Sequence, residues 1–265
     1  MSPFLKSYLR YLWQSKNEHG VHSPFVFNLV TQCLYDKKQY AEYAHLKDHR
    51  KLLLENKSTI EVTDFGAGSK VFKSNIRAIN QIAKKAGISA KRAQLLYRIV
   101  KYLQPEYILE IGTSVGLGTA ALALGNPTAK ITTLEGCPNT SATANENFQN
   151  SKFHPETSGP NSNITFVNTE FESYLKNLKP ETIDFIYFDG NHSKKATIDY
   201  FNLLLPTTTN DTVWIFDDIH WSAGMEEAWE IIKNHPKVTV TIDTFQWGLV
   251  FFRTEQEKEH FTIRC

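Results

Sequence analysis

The chain has 265 residues, of which 41% are hydrophobic and 22% are charged. This composition provides enough apolar residues for a sizeable core and excludes global disorder, and the length suits one large domain or a domain with a smaller appendage. Because 29 Lys and Arg balance 28 Asp and Glu, the charge indicates neither a nucleic-acid-binding protein nor one drawn to an anionic membrane, although a local basic patch could still form in the fold.

The compartment is predicted from cysteines and apolar runs. Cys33, Cys137 and Cys265 lie far apart and form neither a disulfide framework nor a zinc-binding pair. Residues 1–20 are amphipathic but lack the apolar core of a signal peptide, and no apolar run approaches the roughly 18 residues of a membrane span. We therefore expect a cytoplasmic protein without a membrane or nucleic-acid partner; a homo-oligomer stays open.

The first part of the chain is mainly helical. Apolar residues recur at helical spacing over 4–13, 23–35 and 90–103. Ser23 can cap the second helix with Pro24 at its first position, and Pro105 ends the third. These features predict a helical region over 1–102 that builds an acceptor pocket, a lid or an oligomer contact, followed by a second domain over 103–265.

The second part alternates short apolar runs with helical stretches, which predicts βαβ units and a parallel sheet. Only a short turn separates the last two runs, so they are expected to form a hairpin with an antiparallel last strand. The sequence therefore predicts a doubly wound, mostly parallel α/β sheet of seven strands. The predicted strands are 107–111, 130–135, 163–168, 183–189, 212–218, 238–243 and 247–253.

A glycine-rich turn follows the first of these strands. Glycines permit a tight turn and close approach of the backbone to a ligand, while the N-terminus of the following helix offers free N–H groups. The order E-x-G-x-x-x-G-x-G differs from the G-x-G-x-x-G of dinucleotide sites. The cofactor-binding residues predicted here are Glu110, Gly112, Thr113, Ser114, Gly116 and Gly118.

Further candidate ligand-binding residues end the next two strands. Glu135 lies 23 residues after Gly112, where a strand-end carboxylate can accept both hydroxyls of a ribose. Glu170 and Phe171 follow the third strand and are placed to flank an adenine ring, although an acid in the first turn of a helix also has a purely electrostatic explanation.

Acidic residues end the fourth and fifth strands. Asp189 follows one strand, with His192 three residues later, and Asp217 and Asp218 follow the other. Carboxylates gathered at one edge repel each other unless they are protonated, solvated or bound to a cation, and oxygen ligands suit Mg²⁺, Mn²⁺ or Ca²⁺. The alternative is that one aspartate caps a helix, another binds the loop backbone and only one faces the pocket.

In this order the motifs resemble a class I, Rossmann-like methyltransferase that uses S-adenosylmethionine (SAM). ILEIGTSVGLGTAALAL resembles the first motif of that family, TLEG the ribose-binding acid and NTEFESYL the adenine-flanking segment. DFIYFDGNH and WIFDDIHW resemble the metal-holding strand ends of catechol-type and macrolide-type O-methyltransferases, and VTIDTFQWGLVFFR resembles their closing hairpin. Together these segments span about 107–253.

The resemblance implies methyl transfer from SAM to the oxygen of a small-molecule acceptor. It also implies that Asp189, Asp217 and Asp218 hold Mg²⁺ or a similar cation, that Asp189 also contacts the cofactor, and that His192 with Asp189 is catalytic. One departure affects the metal: catechol-type relatives have Asp-Asn at the second strand end, whereas this chain has Asp-Asp, as macrolide-modifying relatives do.

Other interpretations stay open. A second glycine motif at 63–70 resembles a SAM loop but lacks a following acid-tipped strand, so we expect it to be a turn near the active-site mouth. His220 and Trp221 follow the paired aspartates and could line the acceptor pocket, and Trp221 could equally belong to the core. The alternative functions are an inactive SAM-binding or assembly protein and an NAD-dependent oxidoreductase.

Overall fold

A computed structural model describes residues 3–63, 74–150, 163–178 and 183–265. The described chain forms two compact units, one of Met1–Tyr35 with Glu172–Cys265 and the other of Asp36–Phe171. The domain boundary near residue 102 stays a prediction. Within the described residues, no helix is both long and apolar enough to cross a bilayer.

Ten α-helices lie within the described ranges. They are α1 (Pro3–Gln14), α2 (Pro24–Leu29), α3 (Glu42–Glu55), α4 (Ile79–Lys85), α5 (Ala90–Leu103), α6 (Leu117–Gly125), α7 (Pro138–Asn150), α8 (Phe171–Lys176), α9 (Lys194–Leu204) and α10 (Ala223–Asn234). The three helices predicted in the N-terminal region correspond to α1, α2 and α5. Ser23 caps α2 as expected by accepting from Val26 N, and the helix continues as a wider π-type turn over Val30–Leu34.

Ten strands are described as well. They are β1 (Thr59–Glu61), β2 (Ile76–Ala78), β3 (Tyr107–Ile111), β4 (Lys130–Glu135), β5 (Ile164–Asn168), β6 (Phe185–Phe188), β7 (Val213–Asp217), β8 (Val240–Asp243), β9 (Trp247–Phe251) and β10 (Glu259–Thr262). β1 and β2 form a small antiparallel pair, and the other eight form one sheet in the order β10-β8-β9-β7-β6-β3-β4-β5.

The sheet confirms the predicted mostly parallel α/β fold and its closing hairpin. β3, β4 and β5 pair in parallel, as do β6 and β7, whereas β9 is antiparallel to both β7 and β8. The strand count differs from the seven expected, because β10 adds an eighth strand parallel to β8. The antiparallel strand is therefore β9, inside the sheet, and not the last strand of the chain.

Close packing fixes the cores of the two units. In the unit of residues 36–171, α5 begins at the cap Ser89 and packs on α6 where Gly125 meets Val100 so closely that a Cβ would lie 2.6 Å from the valine Cβ. In the other unit, β7 and β9 are buried along their whole length, and Trp229 covers Gly248, leaving no room for a Cβ. Such contacts hold the strand ends in fixed positions.

Candidate active site

The glycine-rich turn between β3 and α6 adopts the left-handed backbone that its composition suggests. Gly112 has a φ of 105° and Gly116, the N-cap of α6, a φ of 87°, and Ser114 between them has a φ of 50°. A Cβ on Gly116 would lie 2.6 Å from the Phe148 ring. Gly116 is therefore required both by its conformation and by its neighbour. The second glycine motif, apart from Thr63, lies outside the described residues.

Glu110 is buried beneath this turn and is hydrogen-bonded to threonines on α6 and on the neighbouring strand β4. Its Oε2 accepts hydrogen bonds from Thr119 Oγ1 at 2.5 Å and Thr133 Oγ1 at 2.6 Å, and Thr133 is hydrogen-bonded to Thr113 at 2.5 Å. Glu110 and Thr113 are almost fully buried, which differs from the direct cofactor contact that the sequence suggests. Burial raises the pKa of Glu110 to about 7, and its Oε1 has no hydrogen-bond partner among the described residues.

Glu135 lies at the end of β4, where the sequence predicts the ribose-binding acid. Its Oε2 accepts from Ser114 N at 2.9 Å and its Oε1 from Cys137 N at 3.0 Å. These bonds fix the carboxylate against the turn. The side chain is partly exposed, so the carboxylate suits a diol such as the ribose of SAM.

The remaining predicted cofactor residues occupy distinct positions. Gly118 is buried in the first turn of α6, and of residues 111–118 only Ser114 is partly exposed. Glu170 is exposed after β5, and the partly exposed Phe171 begins α8. Their contact with an adenine ring stays a prediction.

His49 is a residue near the turn that the sequence analysis missed. It is buried on α3, is hydrogen-bonded to the backbone of Gly116 and packs edge-to-face on Phe148 with 5.2 Å between ring centroids. Burial lowers the pKa of His49 to about 4, against the smaller opposing effect of the hydrogen bond, so the imidazole is neutral near pH 7. Its spacing from Leu46 and Leu53 on the buried face of α3 is the signal that could have identified it.

Two of the three acids predicted to gather after β6 and β7, Asp189 and Asp217, do lie close together. The parallel register pairs Phe188 with Phe216, so Asp189 and Asp217 follow at the same edge. Ligand atoms of Asp189, His192 and Asp217 all lie within 4.8 Å of one another, and His192 Nε2 is 3.7 Å from Asp189 Oδ1. Tyr187 donates to the other oxygen, Oδ2, at 3.1 Å.

Asp218 is outside this group, which differs from the predicted ligand set. Its backbone has a φ of 55°, and its carbonyl oxygen accepts from Trp221 N at 2.9 Å. The helix caps are also not aspartates: Ser193 caps α9 and Ser222 caps α10. The part of the alternative in which an aspartate caps one of these helices is therefore wrong, and the ligand atoms of the group of three lie close enough to share one ion.

The donor set of the group fits a divalent cation. Two carboxylates at close range need compensation of their charge, and their oxygens suit a divalent ion such as Mn²⁺ or Mg²⁺, with the imidazole either as a third ligand or as a base beside the ion. Asp217 is buried, whereas Asp189 and His192 are partly exposed, so the group is open on one side. Exchangeable positions on an ion held there would be accessible to an acceptor hydroxyl.

His220 occupies a different position from the pocket wall that the sequence allowed. Its Nδ1 lies 3.0 Å from Glu226 Oε1 and its Nε2 lies 2.9 Å from Asp243 Oδ2, and its ring stacks on Phe245. Burial alone would lower the pKa of His220, but the hydrogen bonds and charges of Asp243 and Glu226 outweigh it and raise the pKa above its ordinary value. Trp221 is 43% exposed and so is not a core residue.

Comparisons with known proteins agree with the fold and with the position of the glycine-rich turn described above. The family model described as a methyltransferase domain matches residues 109–219. An S-adenosylhomocysteine (SAH)-bound methyltransferase from Podospora anserina superposes with a TM-score of 0.58 at 15% identity, covering 88% of this chain and 97% of its own. A search of curated proteins finds no match.

Two O-methyltransferase structures are similar as well. The enzyme from Bacillus cereus in complex with SAH is 19% identical with a TM-score of 0.55, over 91% of this chain and 99% of its own. The enzyme from Streptomyces achromogenes involved in tomaymycin synthesis, solved with SAM, is 16% identical with a TM-score of 0.53, over 90% and 99%. The chain therefore shares the Rossmann-like α/β fold of these methyltransferase structures, and its residues 109–219 match the model of a methyltransferase domain.

Proposed function

We propose that this chain transfers a methyl group from SAM to a hydroxyl oxygen of a small-molecule acceptor. The observation that carries the choice of an oxygen acceptor is the compact group of Asp189, His192 and Asp217. Two carboxylates and an imidazole can together bind a cation and remove a proton, which are the tasks that a hydroxyl nucleophile requires.

Glu135 and the glycine-rich turn form the proposed SAM site. The Glu135 carboxylate accepts the ribose hydroxyls, while the turn lets the backbone approach the cofactor closely. The presence of SAH or SAM in the similar structures from Podospora anserina, Bacillus cereus and Streptomyces achromogenes supports this assignment. SAM supplies a methyl group already activated on sulfur, so the protein has to align donor and acceptor, a contribution on the order of 7–11 kcal/mol.

The acid group is proposed to prepare the acceptor. Asp189 and Asp217 hold a divalent cation, which when bound lowers the pKa of the acceptor hydroxyl. His192 accepts the hydroxyl proton at Nε2, and the Asp189 carboxylate, whose Oδ1 lies 3.7 Å from Nε2, stabilises the imidazolium that forms. Asp218 is left out of the ligand set because the compact group does not include it.

Heat stability and turnover on a panel of phenols and catechols test these roles together. Millimolar Mn²⁺ is expected to raise the melting temperature of the wild type by mass action, and Asp217→Asn should abolish that rise, whereas Asp218→Asn, the matched control, should keep it. His192→Asn should keep the rise and lose about 10²–10⁴-fold in turnover.

Each outcome has a distinct meaning. If His192→Asn also abolishes the Mn²⁺ effect, His192 is a ligand and the assigned base is wrong. If Mn²⁺ has no effect and EDTA leaves turnover unchanged, the cation assignment fails. Tight SAH binding without turnover on any acceptor of the panel would favour a non-catalytic SAM-binding protein.

A further inference from the structure

Helix α1 has more apolar surface than the protein covers. On its inner side, Phe4, Tyr8 and Tyr11 surround the ring of Phe245, with centroid distances of 5.2, 4.9 and 5.3 Å. The Tyr11 hydroxyl donates to the Ile263 carbonyl oxygen at 2.7 Å. Near the C-terminal end of the helix, Arg264 donates to the Leu12 carbonyl oxygen at 2.6 Å, so α1 is fixed at both ends.

The outer side of α1 carries a stripe of exposed apolar residues. Leu5, Leu9 and Trp13 follow each other at intervals of four, so they lie on one face over about 12 Å of helix. Their exposed fractions are 44%, 48% and 85%. Three of the five tryptophans of the chain are fully buried, and Trp221 is 43% exposed, so Trp13 is the most exposed of them.

Basic residues border this stripe. Lys6 and Arg10 each follow a stripe leucine by one position, and both are exposed. The helix contains no Asp or Glu. The formal net charge of +1 for the whole chain conceals this local concentration, which combines an apolar face with a purely basic border.

We propose that α1 binds the surface of an anionic lipid bilayer and lies parallel to it. Leu5, Leu9 and Trp13 enter the boundary between headgroups and acyl chains, where tryptophan is favoured, while Lys6 and Arg10 contact the lipid phosphates. The helix is too short to span a bilayer, so the binding is peripheral and reversible. The proposal departs from the expectation of no membrane partner, which rested on net charge and on the absence of a long apolar run.

A second copy of the chain fits this face less well. A stable interface buries about 800 Å² on each partner, whereas the stripe has three side chains, two of them about half exposed. In a two-fold arrangement, Lys6 and Arg10 of both copies would border the same seam, with no acid on either α1 to neutralise them. An anionic surface supplies the charge that a second α1 lacks.

Vesicle flotation of the full chain tests the proposal. We expect the protein to float with vesicles that contain equal parts of phosphatidylglycerol and phosphatidylcholine, and not with phosphatidylcholine alone. The exchange Lys6→Gln or Arg10→Gln should each weaken binding about fivefold, and raised salt should do the same. Leu9→Gln should weaken it roughly tenfold, whereas Leu52→Gln, at an exposed leucine of α3, is the control that should leave binding unchanged.

Tryptophan fluorescence and ultracentrifugation complete the test. Anionic vesicles should shift the emission to the blue in the wild type and not in Trp13→Phe. Because these side chains are exposed, the variants should melt like the wild type. The proposal is overturned if anionic vesicles fail to bind at low salt, if Leu9→Gln floats like the wild type, or if the wild type is a dimer that Leu9→Gln dissociates, which would identify the second copy as the occupant.

Discussion

The glycine-rich turn and the acid group differ in how their polar side chains are held. Around the turn, both oxygens of Glu135 accept backbone hydrogen bonds, and Glu110 is buried against two threonines. In the acid group, Asp189 and His192 are partly exposed and 3.7 Å apart. Hydrogen bonds within the chain hold the polar groups of the turn, whereas the acid group is proposed to be completed by a bound cation.

The two regions therefore differ in the origin of their unfavourable contributions to folding free energy. At the turn, the unfavourable contributions are the left-handed backbone and the burial of a carboxyl group. In the acid group, the unfavourable contribution is the repulsion between carboxylates, which a bound cation would reduce. Changes at the turn should therefore alter the stability of the protein without any ligand, whereas changes in the acid group should alter how stability responds to ions.

The largest effect is expected for Gly116→Ala. A Cβ there combines an unfavourable φ of 87° with a position 2.6 Å from Phe148, and together these should cost about 4 kcal/mol of unfolding free energy and impair SAH binding. Urea unfolding measures this cost. Gly224→Ala in α10 is the control, because the nearest atom to its Cβ is at 3.4 Å, and it should be neutral or slightly stabilising. Equal effects at the two positions would show that the turn is not constrained.

A smaller, pH-dependent effect is expected for Glu110→Gln. Below the ordinary pKa of about 4.5 the carboxyl group is protonated in both folded and unfolded chains, so its burial costs nothing in charge. As the pH rises towards the folded pKa of about 7, the unfolded state loses its proton first and the folded protein is destabilised. The free energy of unfolding of Glu110→Gln relative to wild type should therefore rise by about 3 kcal/mol between pH 4.5 and about 8. A difference in unfolding free energy that does not change with pH would contradict the burial of the Glu110 carboxyl group.

The smallest effect is expected at His220, which ties the loop after Asp217 to β8 through Asp243. Its raised pKa means that the stabilisation is complete below the unfolded pKa of about 6.5 and is lost as the pH rises through the higher folded pKa. His220→Asn should cost about 2 kcal/mol at pH 6 and progressively less at higher pH. Thermal melts of the variant and the wild type over this range measure the cost, and a cost that grew with pH would contradict the role assigned to His220.

The sequence predicts the strands best where apolar runs are long and buried. β3, β4 and β9 begin at the predicted residues, and β6, β7 and β8, each buried over most of its length, begin within two residues of the prediction. β10 was missed because it has four residues with two exposed ones at its start, and β1 and β2 because each has three residues and little burial. Strands of this kind depend on neighbours that a local pattern does not contain.

The candidate site likewise has residues whose positions follow from the local sequence pattern and residues whose positions do not. The positions of Glu135, Asp189 and Asp217 follow from strand ends, since parallel strands bring their carboxyl ends to one edge. Which of two adjacent aspartates joins the group depends on a left-handed residue, Asp218, and the contact of His49 with the turn joins residues 67 positions apart (116 − 49). The spacing along α3 indicates that His49 is buried, but no local spacing predicts its contact with Gly116 or the left-handed backbone of Asp218.

Calorimetry with SAH tests the proposed function most directly. The wild type should bind SAH in preference to NAD, and Glu135→Ala should lose roughly 1.5–3 kcal/mol of binding free energy, because charge-assisted hydrogen bonds to the ribose are removed. The folded state of the variant is checked by its melting curve, since Glu135 also accepts from Ser114 N and Cys137 N. Unchanged SAH affinity in a folded Glu135→Ala protein, or tighter binding of NAD by the wild type, would contradict SAM-dependent methyl transfer.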